Sequence, residues 1–281
     1  MLQYEEFKHE LMEALPACLP ACYQDWKIEC REVMKVNCSP EAIHVTPPDG
    51  CGGSPTLYVE EFYTYYKSCG SMEETCRKAA AIFVLGMDYL ARANFASVLG
   101  IPKDRIIFAL IPQNGNERLL AEVPHRLTMD LAVIYRIVIE AEDGSLNSAV
   151  INNTMLQCDN LTEDDLYQLA MENTPKILPA EIDREHQPLY MVTNCVRISG
   201  ASVMLYPGVL ASVAKEVDSD LFILPSSLQE VFVIPDMGQD AASMNRIVVM
   251  GNETTCNSEE ILSDHVYYYH KDDDKVCIPQ W

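Results

Sequence analysis

Two short segments carry side chains that could do acid–base or nucleophilic chemistry. His125 is followed five residues later by Asp130, and a histidine oriented by a carboxylate at about 3 Å can act as a general base. Ser226 and Ser227 follow an apolar run, at a turn of the kind that exposes nucleophiles, and Glu230 comes shortly afterwards. These residues define one functional hypothesis, a hydrolase built around His125 and that turn.

Structural explanations compete with both parts of this hypothesis. If the segment around His125 is helical, Arg126 and Asp130 stand at i and i+4 and form an ion pair near the helix end. The serines lack the G-x-S-x-G pattern of a nucleophile elbow, and Pro225-Ser226-Ser227 also fits an ordinary turn.

Carboxylates and cysteines are the candidate metal ligands. Glu230 lies near Asp220 and Asp236 in the chain, and three clustered carboxylates could hold Mg²⁺. No lysine follows Glu230 at the E-x-K spacing of restriction-type nucleases. The 11 cysteines lack the paired C-x-x-C spacing of zinc sites and are expected to be buried thiols. We therefore predict no metal and no cofactor.

The charge of the chain is uneven. All 281 residues together carry a net charge of −22. Residues 141–281 hold 23 acidic and 7 basic side chains, a net charge of −16, against −6 for residues 1–140. Such a field repels nucleic acid and anionic membranes, so direct nucleic-acid binding is not expected. It favours a protein partner with a basic surface.

The N-terminus and the hydropathy pattern bear on location. The first residues contain neither the basic nor the apolar region of a signal peptide, and no apolar run approaches about 18 residues. We expect a cytoplasmic protein without membrane segments.

The elements that must position these residues follow from periodicity. Leu131–Glu140 and Ser148–Ile151 are predicted strands, followed by a helix capped by Thr162. Leu189–Asn194 and Ala201–Leu205 are predicted to form a second hairpin, before a helix opened by Pro207. The order strand–strand–helix thus occurs twice.

This order predicts an α+β fold with a mainly antiparallel mixed sheet and helices packed on one face. The change of charge and pattern predicts an N-terminal α+β region over residues 1–115. A C-terminal region over 116–281 then holds both hairpin–helix units, and the two regions could also form one continuous domain.

Several segments resemble an uncharacterised bacterial or phage-borne domain family of unknown function. The resemblance is carried by the motifs HRxxxDLAVxY, YMVTN, GAxxxLYPGVL and ILPSSxxEV, in this order along the chain. It implies no established activity and no catalytic residues. Asn194 and Tyr206, which lie in these motifs, are candidate binding residues together with the acidic run Asp272, Asp273 and Asp274. The leading functional hypothesis is a non-enzymatic protein-binding or regulatory module that uses the acidic C-terminal half.

Overall fold

The chain divides into two compact units, Met1–Leu99 and Gly100–Trp281. The structure is a computed structural model, and it describes residues 1–48, 54–92, 100–140 and 146–279. The strand Ile106–Pro112 pairs along its length with Leu131–Glu140 and so belongs to the second unit. The expected boundary after residue 115 would have assigned that strand to the N-terminal region.

The first unit packs helices on a small antiparallel sheet. Phe7, Leu11 and Leu15 are spaced by four residues and are fully buried on one face of the first helix, in a core shared with Ile43 and Val45. The helices are α1 (Tyr4–Cys18), α2 (Val59–Cys69) and α3 (Met72–Arg92), and the strands are β1 (Lys27–Glu32), β2 (Glu41–Thr46) and β3 (Leu57–Tyr58), in the order β1-β2-β3.

The second unit contains a four-stranded and a six-stranded antiparallel sheet. In the four-stranded sheet, β6 pairs with β4 along one edge, and β5 and β7 share its other edge. The six-stranded sheet has the order β13-β12-β10-β11-β9-β8. The strands are β4 (Ile106–Pro112), β5 (His125–Thr128), β6 (Leu131–Glu140), β7 (Leu146–Val150), β8 (Ala180–His186), β9 (Leu189–Asn194), β10 (Leu221–Ser227), β11 (Glu230–Pro235), β12 (Tyr267–His270) and β13 (Lys275–Cys277), and the helices are α4 (Glu117–Glu122), α5 (Asn153–Cys158), α6 (Glu163–Ile177), α7 (Val209–Val217) and α8 (Ala241–Thr254). The predicted α+β class is confirmed.

The predicted second hairpin is wrong. β9 pairs with β8 and β11, and Gly200–Leu205 forms a 3-10 helix instead of a strand. Gly200 lies so close to the backbone of Gln229 and to the hydroxyl of Thr193 that a Cβ at this position would overlap both. A short apolar run does not distinguish a strand from a buried helical turn, which explains the error. The order strand–strand–helix still recurs, because the hairpins β6-β7, β8-β9 and β10-β11 are each followed by a helix, but the second hairpin is formed by β8 and β9.

Helices cover both faces of the six-stranded sheet, where one covered face was expected. Leu221 and Ile223 of β10 belong to a core that includes Val213 of α7. Phe222 belongs to a separate core with Val248 of α8. Alternate residues of one central strand thus face two different helical layers.

Among the described residues, no helix combines the length and apolarity needed to cross a membrane.

Candidate functional site

The structure separates His125 from its expected partner. His125–Thr128 is a strand and not a helix, and His125 Nδ1 lies 3.0 Å from the carbonyl oxygen of Val123. Arg126 forms its ion pair with Glu163 and Asp164 of α6, so the predicted pair with Asp130 is also wrong. The hydrogen bond to Glu163 raises the pKa of the Arg126 guanidinium above its ordinary value.

Asp130 instead accepts hydrogen bonds from three side chains near the other end of the chain. Its Oδ2 lies 2.5 Å from the Ser263 hydroxyl and 3.1 Å from His265 Nδ1, and its Oδ1 accepts from the Tyr267 hydroxyl at 2.7 Å. Burial, followed by the charge of Asp130, raises the pKa of Tyr267. Because Nδ1–H of His265 donates to Asp130, the neutral ring carries its lone pair on Nε2.

The turn that presents Asp130 is held in an unusual conformation. Met129, the first residue of this two-residue hairpin loop, has a φ of 55°, in the left-handed region that favours glycine. Gln113 Nε2 donates to the carbonyl oxygens of Met129 and Leu131 at 3.0 and 2.9 Å. These bonds hold the turn so that the carboxylate reaches Ser263.

Ser226, Ser227 and Glu230 lie in the β10–β11 hairpin and contact each other locally. Ser226 Oγ is 3.5 Å from Glu230 Oε1, and Ser227 Oγ accepts from the backbone N–H of Gln229. Glu230 begins β11, whereas Asp236 follows its last residue, so the expected cluster of Asp220, Asp236 and Glu230 does not form.

The two predicted binding residues of the resemblance motifs are buried. Asn194 is fully buried and uses its amide within its own loop, accepting from Val196 N–H and Ile198 N–H and donating to the Ile198 carbonyl. The hydroxyl of Tyr206 donates to the carbonyl of Leu178 at 3.2 Å. Tyr206 also lines a cavity of about 230 Å³, which includes the predicted residue Asp274.

Carboxylates from three segments converge at one end of the six-stranded sheet. Antiparallel pairing places Leu221, the first residue of β10, opposite Pro235 at the end of β11 and Tyr269 near the end of β12. The acidic residues that flank these positions therefore come together. We call them the acidic end: Asp218, Asp220, Asp236, Asp272, Asp273 and Asp274.

Hydrogen bonds tie the segments of the acidic end together. Tyr268 OH lies 2.5 Å from Asp236 Oδ2 and 3.1 Å from Asp220 Oδ2, and the backbone N–H of Lys271 donates to Asp220 Oδ1 at 2.8 Å. Lys271 Nζ is 2.5 Å from Asp218, which lowers the pKa of that carboxyl through their hydrogen bond. Burial, followed by the hydrogen bond to Asp236, raises the pKa of Tyr268.

A cavity of about 530 Å³ opens beside the acidic end. Its walls combine aromatic, apolar and charged groups, as binding pockets commonly do. We call it the Asp236 pocket. It is lined by Phe222, Asp236, Gln239, Ala241, Tyr268, His270, Cys277, Ile278 and Pro279.

Sequence reasoning identified the acidic run but missed Tyr268 and His270 as parts of a site, and it chose the wrong histidine for Asp130. The position of these residues in the sequence could have indicated the site, because Asp220, Asp236 and His270 each stand at one end of an apolar or aromatic strand. Pairing order, which decides that those strand ends are neighbours, cannot be read from one sequence.

A metal ion needs a group of ligand side chains. In the described ranges, no three His, Cys, Asp or Glu side chains gather as a group that could hold a metal ion. The ten cysteines of those ranges are free thiols.

The chain matches the profile of a family of unknown function (DUF5688) over residues 4–186 and 181–271, and it belongs to that family. The expected resemblance to a family without assigned activity is thereby confirmed. No curated protein and no solved structure matches the chain.

Proposed function

We propose that the protein is a binding module that docks a basic partner protein on the acidic end of its second unit. The observation that supports the proposal most strongly is the convergence of six carboxylates from three separate segments at one end of one sheet. Asp218 and the run Asp272–Asp274 are exposed, so their charge faces solvent and a partner.

Physical chemistry favours a protein partner over a polyanion. Carboxylate surfaces attract lysine and arginine groups and accelerate encounter, and they repel phosphate backbones. Between exposed groups this attraction is screened by salt over about 8–10 Å at 0.10–0.15 M. Binding through the acidic end must therefore weaken as salt is added.

The test measures binding of a lysine- and arginine-rich peptide by calorimetry at low and physiological salt. The triple variant Asp218→Asn, Asp272→Asn, Asp273→Asn removes three exposed charges, and we expect affinity to fall by about tenfold or more. A matched triple variant in the first unit, Glu10→Gln, Glu61→Gln, Glu74→Gln, removes the same charge from exposed positions and serves as the control. Equal losses in both variants, or affinity that is indifferent to salt, would contradict the proposal.

Hydrolysis is the second candidate, and one observation favours it: Asp130 orients His265 as a carboxylate orients a general base. The base is then His265 and not His125. Hydrolysis of a nitrophenyl ester or phosphodiester that is lost in His265→Gln and kept in His125→Gln would support this function. Equal rates in both variants would count against it.

A further inference from the structure

Asp236, which lines the Asp236 pocket, and Asp220, which lies next to the lining residue Tyr268, share one proton donor. Asp236 Oδ2 and Asp220 Oδ2 both lie within hydrogen-bond distance of the Tyr268 hydroxyl, which has a single proton to donate. The other oxygens are already used, since Asp236 Oδ1 accepts from Gly238 N–H and Asp220 Oδ1 from Lys271 N–H. One carboxylate therefore lacks the donor that the other receives.

Within the described ranges, no lysine or arginine lies within salt-bridge distance of either carboxylate. The imidazole of His270 lies close to them, with its Nδ1 3.9 Å from Asp220 Oδ2, and this contact is an ion pair only when the ring is protonated. Lys271 directs its ammonium group to Asp218 instead. The carboxylates of Asp220 and Asp236 are therefore available to bind a cationic group of another molecule.

The walls of the pocket suit a flat cation on an aliphatic stem. Phe222 and Tyr268 meet edge to face with ring centroids 4.9 Å apart, and His270 packs against Tyr268 at 4.8 Å. Aromatic faces attract cations, and a guanidinium group stacks on rings while its planar donors bridge carboxylate oxygens. Ala241, Ile278 and Pro279 give the stem apolar contacts.

We propose that the Asp236 pocket receives an arginine side chain of the basic partner. The guanidinium donates to Asp236 and Asp220, and its methylene groups lie against the apolar wall. This inference rests on the proposed function and names the group through which the partner is anchored.

The small-molecule test uses N-acetyl-arginine amide, with N-acetyl-citrulline amide as the neutral probe of matching shape, titrated into the full chain and followed by NMR. We expect the arginine probe to bind at least tenfold more tightly than the citrulline probe. Asp236→Asn should weaken the arginine probe by about tenfold, because it removes a charge and keeps the shape. Equal binding of the two probes, or an unchanged affinity in Asp236→Asn, would overturn the inference.

Two variants separate the pocket from its surroundings. Ala241→Leu places a larger side chain at the pocket wall without altering charge, and it should abolish binding of the arginine probe. The pair Glu10→Gln, Glu61→Gln removes two exposed charges from the first unit and should leave that binding within about twofold. The reverse pattern would overturn the assignment. Circular dichroism confirms that each variant is folded.

The basic peptide distinguishes this inference from the proposed function. A peptide that binds wild type and Asp236→Asn equally, yet loses affinity for the triple variant of the acidic end, overturns the pocket assignment and supports the proposed function. An arginine probe that binds in the pocket while the peptide does not bind supports the pocket chemistry and refutes the proposed function.

Discussion

Asp130 and His265 are 135 residues apart in the chain, yet His265 Nδ1 lies 3.1 Å from Asp130 Oδ2. The same carboxylate also receives the hydroxyls of Ser263 and Tyr267, so the turn between β5 and β6 is tied to the segment that leads into β12.

Asp130→Ala should destabilise the protein by about 2–3 kcal/mol, because it leaves the buried hydroxyl of Tyr267 without its charged acceptor. Urea unfolding followed by circular dichroism measures the loss. Asp273→Ala, which removes an exposed carboxylate from the β12–β13 hairpin, should stay within about 0.5 kcal/mol of wild type. A similar midpoint for both variants would show that the Asp130 network contributes little.

Gly200→Ala should cost about 3 kcal/mol, because its Cβ would overlap the carbonyl oxygen of Gln229 and the hydroxyl of Thr193. The control is Gly251→Ala in α8, where a Cβ meets nothing within 4 Å. That change should stabilise the helix by about 0.5–1 kcal/mol. Thermal unfolding of the two variants should shift in opposite directions, and a shift in the same direction would refute the close approach at Gly200.

Thr174→Val should lower the free energy of unfolding by about 1–3 kcal/mol. The buried hydroxyl of Thr174 accepts from the backbone N–H of Phe108 at 3.0 Å and donates to the carbonyl of Ala170. Valine keeps the shape and leaves the Phe108 N–H without a partner. The exposed Thr254→Val in α8 makes the same chemical change and should cost within about 0.5 kcal/mol. Hydrogen exchange at Phe108 offers an independent check, since faster exchange is expected only in Thr174→Val.

His44 should make the first unit less stable in mild acid. Its Nε2 is buried without a hydrogen-bond partner among the described groups, and burial lowers its pKa below the ordinary 6.5, helped by Arg31 and opposed by Glu29. The unfolded chain therefore binds a proton at a pH where the folded chain does not, and stability falls as the pH drops from about 6.5 toward the folded pKa.

The matched comparison for His44 is His44→Gln, which shares every other titrating group with wild type. The difference in unfolding free energy between the two proteins should be constant above about pH 7.5. Below about pH 6.5, wild type should lose stability relative to His44→Gln as the pH falls. A difference that stays constant across both ranges would contradict the role of His44.

Local patterns in the sequence predicted individual strands and helices, but they did not predict which strands pair in the sheets. The apolar run Leu131–Glu140, rich in valine and isoleucine, predicts that strand with its observed bounds, and Thr162 caps α6 as expected. The partner of Asp130 could not be read, because the choice between His125 and His265 depends on which strands pair over long distances. Gly200–Leu205 was misread, because apolar residues on a buried 3-10 turn and on a strand look alike.

The acidic end shows the same limit in another form. The run Asp272–Asp274 is visible as a charge cluster, whereas Asp220 and Asp236 join it only because β10, β11 and β12 are adjacent in the sheet. The contacts of Tyr268 with Asp220 and Asp236 depend on this strand order, and no local sequence pattern predicts them.

The contact between Asp130 and the segment 263–267 also sets an order of events during synthesis. Residues 1–99 form a compact unit, whose internal contacts can be completed early in translation. The second unit cannot be completed as early. A nascent chain that ends at β11 lacks β12, which pairs with β10, and it also lacks the three side chains that donate to Asp130. Until β12 has been synthesised, Leu221 and Ile223 lie on an incomplete sheet, and their apolar side chains are open to wrong contacts.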